Sequence, residues 1–353
     1  MAIQGFTRAR KHQFGRQSAV GTNVPATKAY GFKGVPSVDL KWTDPDVDTG
    51  SIDVTANPAR EAPDLSASLT DPRLTYNSLP LALSAIFGGA VTATGSGTAK
   101  TWVHAPAAVA PLDGVDVHTY QFGDDVADDW YQLGDGLLES YEVSGPEGLG
   151  ALTAAMAWRF GSVRSTGSTD SPVTVGPVPT ADLDVDTNEA IVYLKDGAIF
   201  IASDPDYLAA NKITDALHTF KLSLKQAYDL KRWANGDQSF DIDAYGRGAR
   251  AIELEVTFAK TEDTVGTGSE SDAWFSDEPV TRYVRFVFTS KVLAQSPSTF
   301  YGWTVTMPLR YYTRTEGEVG GNTTVVLTGH AFYDPDIFEG VFESTAVTTQ
   351  AAL

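Results

Sequence analysis

Alternating carboxylates near the start of the chain are the first residues whose spacing suggests chemistry, because calcium-binding loops use this pattern. They are Asp44, Asp46 and Asp48, and Gly50 follows them. An EF-hand loop requires glycine at its sixth position and a bidentate glutamate at its twelfth. Here Thr49 holds the sixth position, and the glycine comes one residue late. We therefore interpret the segment as an acidic surface turn, with calcium binding as the alternative.

Other patterns that would support metal or nucleophilic chemistry are missing from the sequence. The chain has no cysteine, which excludes disulfides, thiolate metal sites and thiol nucleophiles. No two of its five histidines are two or four residues apart, as they are in compact zinc sites. No G-x-S-x-G elbow occurs, and Gly95-Ser-Gly97 lacks the lysine of a phosphate-binding loop. The sequence predicts no catalytic residue, no metal and no cofactor, so we do not expect an enzyme.

The charge balance restricts the partners that the surface can bind. The chain carries 45 acidic and 26 basic residues, which gives a formal net charge of −19. A protein that grips phosphates needs a basic surface, so the composition argues against a nucleic-acid binder of that kind. It does not argue against a protein that lets nucleic acid pass without sticking. Seven tryptophans and 14 tyrosines would also suit a sugar-binding groove, although in a β-protein such residues more often lie in the core.

Short alternating segments separated by glycine and proline predict an all-β fold. The 32 glycines and 18 prolines fall between runs in which apolar and polar residues alternate, which is typical of strands with one buried face. The clearest strands are 220–224, 240–244 and 252–258. Tyr245-Gly-Arg-Gly248 is interpreted as the turn that joins the last two into a hairpin over about 239–258.

One short helix is predicted to flank the sheets. Ser78 is in position to cap it, Pro80 suits its first turn, and Gly88-Gly89 ends it. Weaker helical patterns cover 204–212 and 224–234. The apolar stripe expected to pack against the sandwich consists of Leu79, Leu83, Ile86 and Phe87.

The chain divides into an extended N-terminal arm at 1–35, one β-domain at 36–340 and a C-terminal tail at 341–353. Neither end has enough periodic apolar residues to order alone. Within the domain, His118-Thr-Tyr120 and His218-Thr-Phe220 lie 100 residues apart and begin similar sequences of elements. This predicts a duplicated β-unit, with related halves at about 65–165 and 190–335.

No segment predicts export or membrane insertion. The basic residues of the first 16 positions are not followed by the apolar run of a secretory signal. The longest strongly apolar run, 79–87, is much shorter than the roughly 20 residues that span a bilayer. We expect a soluble protein that has no membrane partner.

Three segments together resemble the tail tube (major tail) proteins of bacteriophages with long, non-contractile tails. Their order along the chain is more specific than any one of them. The first is Gln17-Ser-Ala-Val-Gly-Thr-Asn-Val-Pro-Ala-Thr-Lys-Ala-Tyr-Gly-Phe32, similar to an arm leading into a first strand. The second is Leu65-Ser-Ala-Ser-Leu-Thr70 with Leu79-Pro-Leu-Ala-Leu-Ser-Ala-Ile-Phe-Gly-Gly89, similar to a strand and a short helix. The third is His118-Thr-Tyr120 with Gly136-Leu-Leu-Glu-Ser-Tyr-Glu-Val143 and Leu152-Thr-Ala-Ala-Met-Ala-Trp-Arg-Phe-Gly161, similar to paired central strands.

The resemblance implies a β-sandwich with a flanking helix whose strands join a ring-wide inner β-barrel. Six copies would close into a ring, and stacked rings would form the tube through which double-stranded DNA leaves the virion. The implied partners are further copies of the chain, a tape-measure protein, a tail terminator and a distal tail protein. The implied location is the phage tail.

The wet face of the hairpin over about 239–258 is the expected lining of that tube. Period-two alternation places its acidic residues opposite the buried ones, and a wall of carboxylates would repel DNA phosphates. Two other classes of function remain open from the residues: another virion shell or decoration protein, and a carbohydrate-binding or carbohydrate-cleaving β-protein. The residues proposed to face the lumen are Asp241, Asp243, Glu253 and Glu255.

Overall fold

A computed structural model describes most of the chain in fifteen segments. The described residues are 10–26, 28–39, 41–43, 59–88, 93–104, 116–124, 129–148, 150–165, 190–210, 212–213, 217–232, 242–260, 281–319, 321–332 and 343–350. The acidic turn at 44–50 and the loop at 261–278 lie outside them, as does most of the loop at 161–182.

Nearly all of the described structure is β, as the sequence predicts. It contains nineteen strands, a nine-residue helix α1 at Leu79–Phe87, and short 3₁₀ turns at Leu194–Asp196 and Pro205–Ala210. The strands are β1 Arg10–Arg16, β2 Lys28–Tyr30, β3 Lys33–Asp39, β4 Trp42–Thr43, β5 Ala59–Arg60, β6 Asp64–Asp71, β7 Lys100–His104, β8 His118–Asp124, β9 Asp129–Gly145, β10 Thr153–Phe160, β11 Ser162–Ser165, β12 Gly197–Ala202, β13 Lys212–Ile213, β14 Leu217–Lys231, β15 Ala244–Ala259, β16 Thr281–Gln295, β17 Thr299–Val319, β18 Asn322–Ala331 and β19 Glu343–Thr348.

Seventeen of the strands form one antiparallel sheet that does not close on itself. Its main ladder runs β3–β6–β10–β9–β14–β15–β18–β17. Beyond β17 it continues through β16 to β12 and β13, and through β19 to β7. A side ladder, β2–β1–β8, joins the N-terminal half of β9. The strands β4 and β5 form a separate pair.

Two long strands change partners midway and fold this sheet over its own core. The first half of β9 pairs with β8 and β11, and its second half pairs with β10 and β14. Likewise, β17 pairs with β19 over 302–306 and with β18 over 309–319. Strands that share no hydrogen bonds therefore stack face to face. The ring centroids of Phe220 on β14 and Phe286 on β16 are 4.6 Å apart, and those of Phe14 on β1 and Trp158 on β10 are 5.0 Å apart. The fold is a sandwich-like all-β structure.

Helix α1 lies inside the main core rather than on its surface. All nine of its residues are buried, and they include Leu79, Leu83, Ile86 and Phe87. The predicted side-chain cap is wrong, because the Ser78 hydroxyl makes no capping bond and instead donates to Asp71 Oδ2 at 2.9 Å. The helix ends at Gly88, as predicted.

A buried carboxylate fixes the change of partners in β9. Asp135 is fully buried and has a positive φ of 56°, which is unusual for a residue other than glycine. Its carboxylate accepts hydrogen bonds from the Gly21 amide at 2.7 Å and the Ser162 hydroxyl at 3.0 Å. Its own amide donates to the side chain of Gln17 at 3.2 Å. These bonds tie the segment that follows β1 to the bend of β9.

The described residues of the predicted arm and tail pair with strands of the main sheet. In the described part of 1–35, β1 pairs with β8 and β2, and Phe14, Tyr30 and Phe32 belong to the main core. In 341–353, β19 lies between β17 and β7, and Ala346 is fully buried. The described residues of both segments therefore belong to the main sheet, and the division of the chain into arm, domain and tail stays a prediction. Strands from distant parts of the chain supply the hydrogen bonds that the segments could not supply alone.

Three local predictions between 204 and 258 differ from the structure. The helix predicted at 224–234 is replaced by β14, in which buried and exposed residues alternate as far as Tyr228. The turn predicted at 245–248 lies within the single strand β15. Its glycine at 248 marks an irregularity in the pairing with β14, where a Cβ would come 3.0 Å from Ala227 Cβ. The helix predicted at 204–212 is present only as the 3₁₀ turn Pro205–Ala210.

The element order does not support the predicted duplication. In the described residues, the segment that begins at His118 forms three strands, β8, β9 and β10, whereas the segment that begins at His218 forms β14 and β15 over the matching length. The environments of the two histidines also differ, since His118 is fully buried and His218 is partly exposed. The repeat stays a prediction that rests on the two triplets.

Two buried histidines make the stability of this core sensitive to acid. Burial lowers the pKa of His104 and of His118 to about 3, because each imidazolium would lose its hydration. The folded state therefore resists protonation that the unfolded chain accepts below pH 6.5. Burial also disfavours the charged form of Asp116, which for an acid raises the pKa, here to about 6, although Arg16 lies 2.7 Å away and favours the charged form. The histidine shifts are larger, so stability falls on acidification.

We expect His104→Gln to make the protein less sensitive to acid. The glutamine amide still reaches Ser84, whose Oγ lies 2.9 Å from Nε2 of the histidine, but it does not titrate. Between about pH 7 and about pH 5 the variant should lose about 2 kcal/mol less unfolding free energy than the wild type. Urea unfolding at the two pH values measures the difference. Equal losses for the two proteins would contradict the burial argument.

Candidate functional site on the central strands

Charged side chains that are partly or fully exposed lie in register on the outer face of β9, β14, β15 and β18. In β15, Ile252, Leu254, Val256 and Phe258 are buried, and Glu253 and Glu255 point to the opposite face, as the alternation predicts. We call this surface the central face. The charged residues that define it are Glu142, Lys221, Lys225, Glu253, Glu255 and His330.

Each lysine of the central face lies beside a glutamate on a neighbouring strand. Lys221 Nζ is 3.1 Å from Glu142 Oε2, and Lys225 Nζ is 3.8 Å from Glu253 Oε2. Glu255 is exposed and lies directly opposite Lys221 in the β14–β15 pairing. These side chains are between about a third and three fifths exposed, so each pair contributes little to stability. Their main effect is on the charge that the face presents to a partner.

The expected carboxylate wall is therefore wrong in one respect. Two lysines lie among the three glutamates, which leaves the central face close to neutral. The sequence pattern shows which residues of one strand share a face, but it does not show which strand lies alongside. The pairing of β14 with β9 and β15 joins parts of the chain that are about 80 and 30 residues apart.

The three described residues of the four proposed to face the lumen do not all lie together. Glu253 and Glu255 lie on the central face, whereas Asp243 precedes β15, and its amide donates to the Lys231 carbonyl at 3.0 Å. Ten residues of extended chain separate Asp243 from Glu253, a distance of roughly 33 Å. Asp241 lies outside the described residues. A turn at 245–248 would have placed the aspartates and the glutamates side by side on one hairpin, but β15 runs straight through these residues.

A serine–histidine pair in the core is the arrangement that most resembles catalytic chemistry. Ser84 Oγ on α1 lies 2.9 Å from Nε2 of His104 on β7. Both side chains are buried, and a substrate would have to open the core to reach the serine oxygen. The geometry supports a structural role, in which the pair holds α1 against β7.

The described residues also bear on the sugar-binding groove, the metal site and the membrane segment considered from the sequence. Trp102, Trp158 and Trp303 are fully buried and line no exposed groove. Among the described side chains, no three histidine, aspartate or glutamate residues are close enough together to hold a metal ion. No helix in the described part of the chain is long and apolar enough to cross a membrane.

Comparison with known proteins does not assign the chain to a family. No family model matches it, and no curated protein gives a significant match. The resemblance to tail tube proteins therefore depends on the three segments quoted from the sequence.

We expect neighbouring residues of β15 to respond very differently to substitution. Glu253→Gln with Glu255→Gln removes exposed charges and should change the unfolding free energy by about 1 kcal/mol or less. Leu254→Ala, between them, leaves a cavity in the core and should cost about 2–5 kcal/mol. Chemical denaturation of the three proteins measures this contrast. Similar losses in both variants would contradict the assignment of faces.

Proposed function

We propose that this chain is a structural virion subunit that self-assembles into stacked rings and forms the tail tube of a long-tailed bacteriophage. The tube would conduct double-stranded DNA during ejection. Its partners would be further copies of the chain, the tape-measure protein inside, and the terminator and distal tail proteins at the two ends. The three resembling segments support this proposal, and so does the all-β, sandwich-like fold with one helix.

The observation that carries the proposal is the open sheet of seventeen strands. Open sheets rarely exceed about ten strands without curling or splitting, and their edges present unpaired N–H and C=O groups. Closure of several copies into one ring-wide barrel would pair such edges and leave none of these backbone groups unpaired. A ring of identical subunits is the simplest closed arrangement in which a surface of each copy binds a different surface of the next copy.

The central face is the surface that we propose for the lumen. Proteins that hold DNA do so by releasing counterions from phosphates with unpaired lysines and arginines. On this face the two lysines already lie beside glutamates, so a phosphate would have to compete with an existing ion pair. The net charge of −19 on each copy adds a longer-range repulsion, although salt screens it beyond about 8 Å. DNA could therefore move along such a surface without being held by it.

We expect the purified protein to form rings and then tubes as its concentration rises. Sedimentation velocity would show species larger than the 37.8 kDa chain, and negative-stain electron microscopy would show hollow rings with a constant bore. A protein that remains monomeric at high concentration, without tubes on long incubation, would contradict the proposed function. Turnover of a glycan without assembly would favour the carbohydrate-active alternative.

Cysteine labelling tests the position of the central face, because the natural chain has no cysteine. Glu255→Cys places a thiol on this face, and Tyr207→Cys places a control thiol on the exposed 3₁₀ turn, where the tyrosine is 64% exposed. Both should react with a maleimide in the free subunit. In assembled tubes, a maleimide carried on a protein too wide for the bore should label position 207 and not position 255. Equal labelling at both positions in tubes would place the central face outside the lumen.

A further inference from the structure

The β14–β15 hairpin extends beyond the strands on either side of it. Strand β9 pairs with β14 only over 220–225, and β18 pairs with β15 only over 253–259. Within the described residues, 226–231 and 244–250 are strand-paired only with each other. We call these two segments the extension. It is about 20 Å long at the usual rise per residue, and no described strand pairs with either of its outer backbone edges.

The extension reverses the charge balance of the chain. The extension holds three basic residues and one acidic residue, Asp229, whereas the whole chain has 26 basic and 45 acidic residues. The basic residues are Lys231, Arg247 and Arg250. A basic segment on an acidic chain gives the molecule two oppositely charged surfaces, which favours contact between one copy and the next.

Two arginines of the extension lie together at the end of helix α1. Arg247 donates to Gln226 Oε1 at 3.0 Å and to the Phe87 carbonyl at 3.5 Å, and Arg250 lies over the Phe87 ring at 5.2 Å. Both are half-buried, and in the described structure neither forms an ion pair with a carboxylate. Burial and the neighbouring charge of Arg247 lower the pKa of Arg250 to about 10. An incoming carboxylate would relieve this repulsion.

We propose that the extension docks on an acidic surface of a second copy of this chain, with Arg247 and Arg250 donating hydrogen bonds to its carboxylates. The inference rests on the proposed function and adds the surface through which copies meet. Arginine suits the contact because its planar guanidinium binds a carboxylate through two parallel bonds. A second copy is favoured because each copy supplies the carboxylates that the arginines would bind, with 45 acidic residues in the chain.

Charge reversal of this pair tests the inference. Arg247→Glu with Arg250→Glu should raise the concentration needed for assembly by about tenfold or more, because it places like charges at the contact. Lys212→Glu with Lys291→Glu is the matched control, since it makes the same change in net charge at two exposed lysines outside the extension. The control should assemble like the wild type. Raising the salt concentration should weaken assembly of the wild type.

The outcomes separate this inference from the proposed function. If the wild type and the charge-reversed variant assemble equally, the docking surface is wrong and the proposed function stands. If the wild type never assembles, both are wrong. Loss of binding to a labelled DNA duplex, with assembly unchanged, would make the arginines a phosphate site and overturn the inference. If charge reversal prevents folding, Arg247→Gln with Arg250→Gln replaces it, and normal assembly of that folded variant would also overturn the inference.

Discussion

Backbone hydrogen bonding along one antiparallel sheet is the constraint on which the rest of this structure depends. Each strand must find a partner on both sides or leave polar groups at an open edge. The long strands β9 and β17 meet this requirement by changing partners midway, which brings two layers of one sheet over a shared core. The buried carboxylate of Asp135 and its hydrogen bonds hold the bend in β9, and α1 fills the core beside it.

Charge is arranged around that framework in two different ways. On the central face, lysines and glutamates alternate across strands and leave little net charge. On the extension, cations exceed anions, and the two arginines at Phe87 have no carboxylate partner in the described structure. A surface that passes DNA should be neutral and wet, whereas a surface that holds another acidic subunit should be basic. The two roles that we propose therefore fall on adjoining parts of the same pair of strands.

The sequence predicts the parts of this fold that depend on local pattern. Alternation over 252–258 identifies the buried and wet faces of β15, and Pro80 with Gly88 locates α1. It does not predict the parts that depend on distant partners. Strand β1 looks like an arm because its hydrogen bonds come from β8, more than 100 residues away. The glycines at 246 and 248 resemble a turn, but β14 continues alongside them and keeps the chain extended. The ion pair of Lys221 on the central face could not be predicted either, because its glutamate lies on β9, about 80 residues away in the chain.

The central claim is that open edges of the sheet are closed by neighbouring copies. Amide hydrogen exchange, compared between the free subunit and the assembled protein, tests it most directly because it reports backbone hydrogen bonds strand by strand. We predict that the amides of 226–231 and 244–250 that point away from the β14–β15 pairing exchange rapidly in the free subunit and become protected on assembly, whereas those of the buried strand β10 are protected in both. Unchanged exchange in the two segments, in a sample that has assembled, would contradict the account.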